Sequence, residues 1–296
     1  MKTSVHKWGG GAFRIHKQSS IEEIRAGYTK MMVALDECDD KIVIVLSALG
    51  KTTTNLLDLI RLPDGVSRME ALAEISAFHL RVAQALRIEV RGLKKLLEAL
   101  EQKIQLLPGD PSTLSQETID EILSFGERMS VQIALDFLRK ENMSIGYVSA
   151  LYLIATGDHH PDGALPDMYH IQRNCRRIQS KFKKFDIVVT EGYIARNQKT
   201  DAITLLGWNG SDLTGALIAV ALRCELFLYK KVEEGELELK SCSLQAFKEM
   251  FRESGLVHGA VPNVLMEAGL SMHIVDVVTD DVFSMYASTV VEGAKA

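Results

Sequence analysis

Lys41-Ile42-Val43-Ile44-Val45-Leu46-Ser47-Ala48-Leu49-Gly50-Lys51-Thr52-Thr53-Thr54-Asn55 is the stretch that decides the fold. Residues 41–47 are apolar nearly throughout and largely β-branched. That suits a strand buried on both faces rather than one with a wet side. From Ser47 the composition switches to glycine, lysine and hydroxyls, the residues found where a helix begins. A doubly buried strand running straight into a helix start is one half of a parallel α/β unit.

The same alternation recurs outward in both directions. Residues 185–190 and 272–278 read as further buried strands, with weaker candidates at 4–8, 147–154, 202–206 and 225–229. Between them lie helical patterns. Ser20 followed by Glu23 forms a capping box before a helix of about 15 residues. Thr113 followed by Gln116 reads as a second cap, with Ile119, Ile122, Leu123, Met129, Ile133 and Phe137 on one stripe. Residues 69–105 are helical with a break near Gly92, and Pro108-Gly109-Asp110-Pro111 is a turn. Pro262 opens a short helix that Gly269 closes. With no repeat and no linker, the expectation is one α/β domain over residues 1–296, its mainly parallel sheet covered on both faces.

Bulk properties remove several function classes. The chain has 296 residues, 47% hydrophobic and 25% charged, with a formal net charge of −5. That balance argues against a general nucleic-acid or membrane-surface binder. The basic run Arg173, Arg176, Arg177, Lys181, Lys183 and Lys184 reads as a solvated helix face. Four cysteines without paired spacing point to free thiols in a reducing compartment. No apolar run is long enough to span a bilayer and the start lacks a signal peptide, so a cytoplasmic location is expected.

Open parallel sheets bind ligands outside the carboxyl ends of their strands, which directs attention to four junctions. Lys7-Trp8-Gly9-Gly10-Gly11 puts three glycines after the first strand, where backbone amides can cradle a phosphate and Lys7 adds a point charge. A flexible N-terminal turn fits the glycines equally. The Ser47–Asn55 junction suits an anion or a well-capped helix. Gly126-Glu127-Arg128-Met129-Ser130 places a glycine within a helix, at a cost of about 1 kcal/mol that close approach of a ligand or another segment would offset. Finally Thr190-Glu191-Gly192-Tyr193 and Gly207-Trp208-Asn209-Gly210-Ser211-Asp212 meet before the apolar helix 213–222. Asp212 there either holds Lys7 or simply favours the helix dipole. His159-His160 lacks a third metal ligand and reads as surface, and Trp8 and Trp208 as packing residues.

In their order and spacing these junctions resemble the aspartokinases of the amino-acid kinase superfamily. That family's K-F-G-G is matched by Lys7 to Gly10, and its S-A-M-G-K-T-T-N by Ser47 to Asn55 with one residue more. G-E-R-x-S is matched by Gly126 to Ser130, T-Q-G-F-I-G by Thr190 to Ala195, and L-G-R-G-G-S-D-x-T-A by Leu206 to Gly215. The resemblance implies a three-layer α/β/α sandwich and ATP-dependent phosphorylation of a carboxylate, giving an acyl phosphate, with Mg2+ accompanying ATP. It assigns Lys7, Gly9, Gly10, Gly11 and Gly210 to the phosphates and Asp212 to positioning Lys7. Ser47, Thr54, Glu127 and Ser211 would surround the amino-acid substrate, with Glu127 at its ammonium group. A homodimer is a family expectation.

Three departures accompany the likeness. The arginine that reads the substrate's carboxylate is Trp208 here, and the next glycine is Asn209. The nucleotide strand T-D-V-D-G is replaced by residues 228–235, where Lys230 or Lys231 would supply the phosphate-facing charge. G-A-K-V-L-H-P appears as Gly255-Leu256-Val257-His258-Gly259, without the lysine. Aspartokinases also carry ACT regulatory domains beyond the catalytic part, and the about 18 residues after the last expected strand hold none. The expected function is therefore an aspartokinase-like enzyme on L-aspartate or a related amino acid. The alternatives are a kinase with a different acceptor, or a binding protein without catalysis.

Overall fold

The computed structural model describes residues 2–36, 41–160, 162–230, 260–276 and 284–289. Its main sheet has seven strands in the order β10-β9-β8-β1-β2-β5-β3. They are β1 (Thr3–Trp8), β2 (Lys41–Leu46), β3 (Ile145–Tyr147), β5 (Ile187–Glu191), β8 (Glu225–Lys230), β9 (Met272–Asp276) and β10 (Ser284–Thr289). All neighbouring pairs are parallel except β9 with β10. Ile42 through Leu46 are all buried, as a central strand covered on both faces requires.

Helices cover both faces. On β1, Trp8 stacks on Tyr229 and packs on Phe13, which leads to Tyr28 of α1 (Ile21–Asp36) and Phe137 of α6 (Phe125–Lys140). Lys7 points to the opposite face, where Gly215 of α9 (Gly210–Leu222) lies against its stem. Helices α2 (Thr52–Arg61), α3 (Gly65–Leu86), α4 (Arg91–Gln105) and α5 (Gln116–Leu123) complete the first layer. α7 (Met168–Asn174) and α10 (Val261–Glu267) pack on α9 in the other, and α8 (Arg176–Lys181) follows α7. The result is a three-layer α/β/α sandwich.

The capping box at α1 forms as expected: Glu23 N–H donates to Ser20 Oγ at 3.1 Å, and Ser20 N–H donates to Glu23 Oε2 at 2.7 Å. The exposed basic side chains of residues 173–184 lie on the outer face of α7, α8 and the segment that follows.

Several expectations are corrected. The cap of α5 is Ser115, which accepts from Thr118 N–H, while Thr113 belongs to a 3-10 turn capped by Asp110. α5 and α6 are separate helices broken at Ser124, so Gly126 sits in the first turn of α6 rather than mid-helix. A Cβ there would approach the Ala48 Cβ to 3.0 Å, so packing against the β2 loop explains the glycine. The stretch 147–154 is a short strand ending at Tyr147 and then a 3-10 turn at Ala150–Tyr152. Residues 203–205 form β7 in a second sheet with β4 (Ala155–Thr156) and β6 (Ile194–Asn197). That sheet sets the loops holding Asp162-Gly163 and Gly207 against each other. β10 follows what was read as the final strand, and residues 277–278 of that strand lie outside the described residues.

Candidate active site

A cleft of about 1040 Å³ opens where β1, β2 and β5 end. Its wall includes Lys7, Gly9, Gly10, Gly11, Ser47, Thr54, Glu127, Gly210, Ser211 and Lys230, residues expected from five separate parts of the sequence.

Three buried charges form its floor. Lys7 Nζ lies 2.6 Å from Asp212 Oδ1, and Lys230 Nζ donates to Asp212 Oδ2 at 2.6 Å. Lys7 leaves the end of β1, Lys230 ends the adjacent parallel strand β8, and Asp212 stands in the first turn of α9. Burial alone would raise the Asp212 carboxyl, but Lys230 and Lys7 outweigh it and hold the group below its ordinary value. Burial lowers the Lys230 ammonium, with Asp212 opposing that shift. One carboxylate thus stands between two ammonium groups at the base of the cleft. Lys231 lies outside the described residues, as does the segment 255–259.

The glycine turn sits directly above. Gly9 N–H donates to the Tyr229 carbonyl at 3.2 Å, and a Cβ on Gly9 would stand 3.3 Å from Lys7 Nζ. A Cβ on Gly10 would run into the Ala48 carbonyl, whereas one on Gly11 would meet open space. Gly10→Ala is therefore expected to force the β1 and β2 loops apart at a cost of roughly 1–3 kcal/mol, read as a lower Tm. Gly11→Ala should leave Tm unchanged.

Glu127 also lines the cleft and is buried. Its Oε1 accepts from Ala48 N–H at 3.2 Å, and its Oε2 has no hydrogen-bond partner among the described residues. Burial pushes its carboxyl up to about 8, with the neighbouring Glu191 adding to the rise. Glu191 is itself raised by burial, but it is occupied: it accepts from Tyr147 Oη at 2.5 Å and Ala150 N–H at 2.8 Å. Only Glu127 of this pair offers a buried acceptor to something in the cleft.

Two side chains, Trp208 and His159, correct the reading from sequence. Trp208 is 82% exposed at the cleft mouth and so is not a packing residue. Asn209 takes a left-handed backbone at φ 56°, which asparagine tolerates where glycine would be preferred. His159 is held by Asp120 at 2.8 Å instead of lying free on the surface, while His160 lines the cleft. Tyr193 of the fourth junction lines the cleft, as do Asp120 and Arg61, which were not singled out. The pattern Thr53, Thr54, Leu57, Arg61 on α2 was the available signal for Arg61. Two cysteines, Cys175 and Cys224, are free and buried. No helix among the described residues is long and apolar enough to cross a membrane.

A doubly covered parallel sheet with a glycine turn above a buried Lys–Asp–Lys cluster defines an α/β protein with a polar cleft at its strand ends. The chain belongs to the amino acid kinase family, which it matches over residues 2–234. Within that family its likeness is to aspartokinases. It is 33% identical over 245 residues to aspartokinase 2, chloroplastic, of Arabidopsis thaliana, covering 78% of this chain and 42% of that one. It is 26% identical over 227 residues to the lysine-sensitive aspartokinase 3 of Escherichia coli (strain K12), covering 74% and 46%. The chain thus spans less than half the length of these curated relatives. In fold it is similar to E. coli aspartokinase III in complex with aspartate and ADP, with a TM-score of 0.80 at 19% identity, covering 97% of this chain and 65% of that one.

Proposed function

We propose that this chain transfers the γ-phosphoryl group of ATP to a side-chain carboxylate of L-aspartate or a closely related amino acid. The observation that carries the reading is the meeting of two complementary groups in one cleft. The Lys7–Asp212–Lys230 floor and glycine turn suit a transferring phosphate. Glu127 presents an unpartnered carboxylate oxygen suited to an ammonium group. A catalytic protein of this kind and a relative whose structure holds aspartate and ADP support the same assignment.

A carboxylate oxygen of the acceptor attacks the γ-phosphorus, the bond to the β-bridging oxygen breaks, and the products are ADP and an acyl phosphate. Such a transition state needs mainly positioning and charge stabilisation. The fit at Gly9 supports a nucleotide phosphate: a Cβ there would stand 3.3 Å from Lys7 Nζ, and glycine leaves that ammonium open to a ligand. Lys7 would hold the transferring group, Lys230 the adjoining phosphate oxygens, and Asp212 keeps both ammoniums aimed. The described residues contain no cluster of three metal-ligating side chains, so magnesium would be held through the phosphates it accompanies. Ser47, Thr54 and Ser211 line the same cleft as Lys7 and Glu127 and would orient the acceptor.

Incubation with ATP, Mg2+ and a panel of amino acids, trapping acyl phosphate with hydroxylamine, tests the assignment. Trapped product on L-aspartate supports it; no product on any amino acid sinks it. Because Trp208 stands where the resembling family carries a carboxylate-reading arginine, Trp208→Arg is expected to lower the KM for L-aspartate by about tenfold, as one added charged hydrogen-bond donor should.

A further inference from the structure

The acceptor of the proposed reaction carries a second carboxylate, and the start of α9 offers it no cation. Trp208 points outward there, and Lys7 and Lys230, which flank Asp212, are the groups assigned above to the phosphates. The other acidic side chains of the wall, Glu127, Asp120 and Asp162, would repel it, and His160 sits 3.9 Å from Asp162.

Arg61 answers the need. Thr53, Thr54, Leu57 and Arg61 recur at helical spacing along α2, and all four line the cleft. Side chains on a helix lean toward its N-terminus, so a guanidinium carried on the last turn of α2 covers the turn before it, toward the threonines. Its ion partner is Asp58 at 3.9 Å, the outer limit of a salt bridge, with both side chains about two-thirds exposed. A contact of that kind holds an arginine weakly, so Arg61 can turn to a ligand at little cost.

We propose that Arg61 reads the carboxylate of the acceptor that is not phosphorylated, taking over from α2 what the resembling family does from position 208. This rests on the phosphotransfer reading above, and it makes Arg61 a specificity-determining residue: a planar, bidentate donor selecting amino acids with a second carboxylate.

Steady-state kinetics of Arg61→Ala with L-aspartate and with β-alanine, which lacks that second carboxylate, provide the test. The KM for L-aspartate should rise about tenfold or more with kcat within about twofold, while the KM for β-alanine stays unchanged. Adding Trp208→Arg in the same chain should recover most of the loss. An unchanged KM for L-aspartate, or an equal rise for β-alanine, overturns the proposal. If the native chain forms no acyl phosphate at all, the phosphotransfer reading falls, and calorimetry still decides the role of Arg61. L-aspartate bound about tenfold more weakly by Arg61→Ala supports it; equal binding, or none to either protein, overturns it.

Discussion

Lys7→Ala is expected to lower kcat by roughly 10²- to 10³-fold while leaving the fold intact. The magnitude is that of removing one preorganised donor from a developing anion in an enclosed site. The fold survives because Asp212 keeps its 2.6 Å contact with Lys230, so no buried charge is stranded. Asp212→Ala separates the two roles of this floor. It leaves Lys7 and Lys230 together, both nearly buried, with their shared counter-charge removed. Breaking a buried pair in this way costs roughly 3–5 kcal/mol, so this variant should lose both activity and several degrees of Tm. Asp212→Asn keeps the shape and loses the charge, and should fall between. Acyl-phosphate trapping and thermal denaturation of the three variants check the order. A Lys7→Ala protein that turns over within about threefold of the native rate would remove Lys7 from the reaction.

This floor was partly legible in the sequence, and the reason is local. Gly9-Gly10 after a strand and Asp212 at a helix start are each set by short-range backbone demands, so their junctions can be read from neighbours. The 2.6 Å convergence of Lys7 and Asp212 is a tertiary fact that strand order supplies, since the distant β8, as well as the sequence neighbour β2, lies beside β1. The same long-range pairing brings Lys230 in. The Gly126 position was misread because the apolar stripe runs unbroken through Ser124 while the backbone changes helix there. The small second sheet escaped notice because its strands are two to four residues long and partly polar: Thr156 and Thr204 are buried against each other through a 2.6 Å hydroxyl contact. Periodicity needs longer runs than that. The outward turn of Trp208 is a side-chain direction, which composition does not encode.

Glu127→Gln is expected to do opposite things to binding and to stability. In the native chain, burial holds this carboxyl protonated up to about 8, against an ordinary value of 4.5. A group whose folded pKa lies above its unfolded pKa binds more protons when folded between those values. Stability therefore falls as pH rises from about 4.5 to about 8. Glutamine carries no charge to bury, so the variant should be more stable than the native chain by roughly 2–4 kcal/mol at pH 7, with the gap closing toward pH 5. Acceptor binding runs the other way. An ammonium group is drawn to the ionised form, so kcat/KM for the amino acid should climb with pH and level off above about 8. The variant loses a buried charge-assisted contact, and its kcat/KM should drop about 10²-fold with the pH dependence flattened. Denaturant melts and kinetic profiles over pH 5–9 read both effects on one protein. A Glu127→Gln chain that keeps native kcat/KM while gaining stability would show that this carboxylate is buried for some purpose other than holding the acceptor.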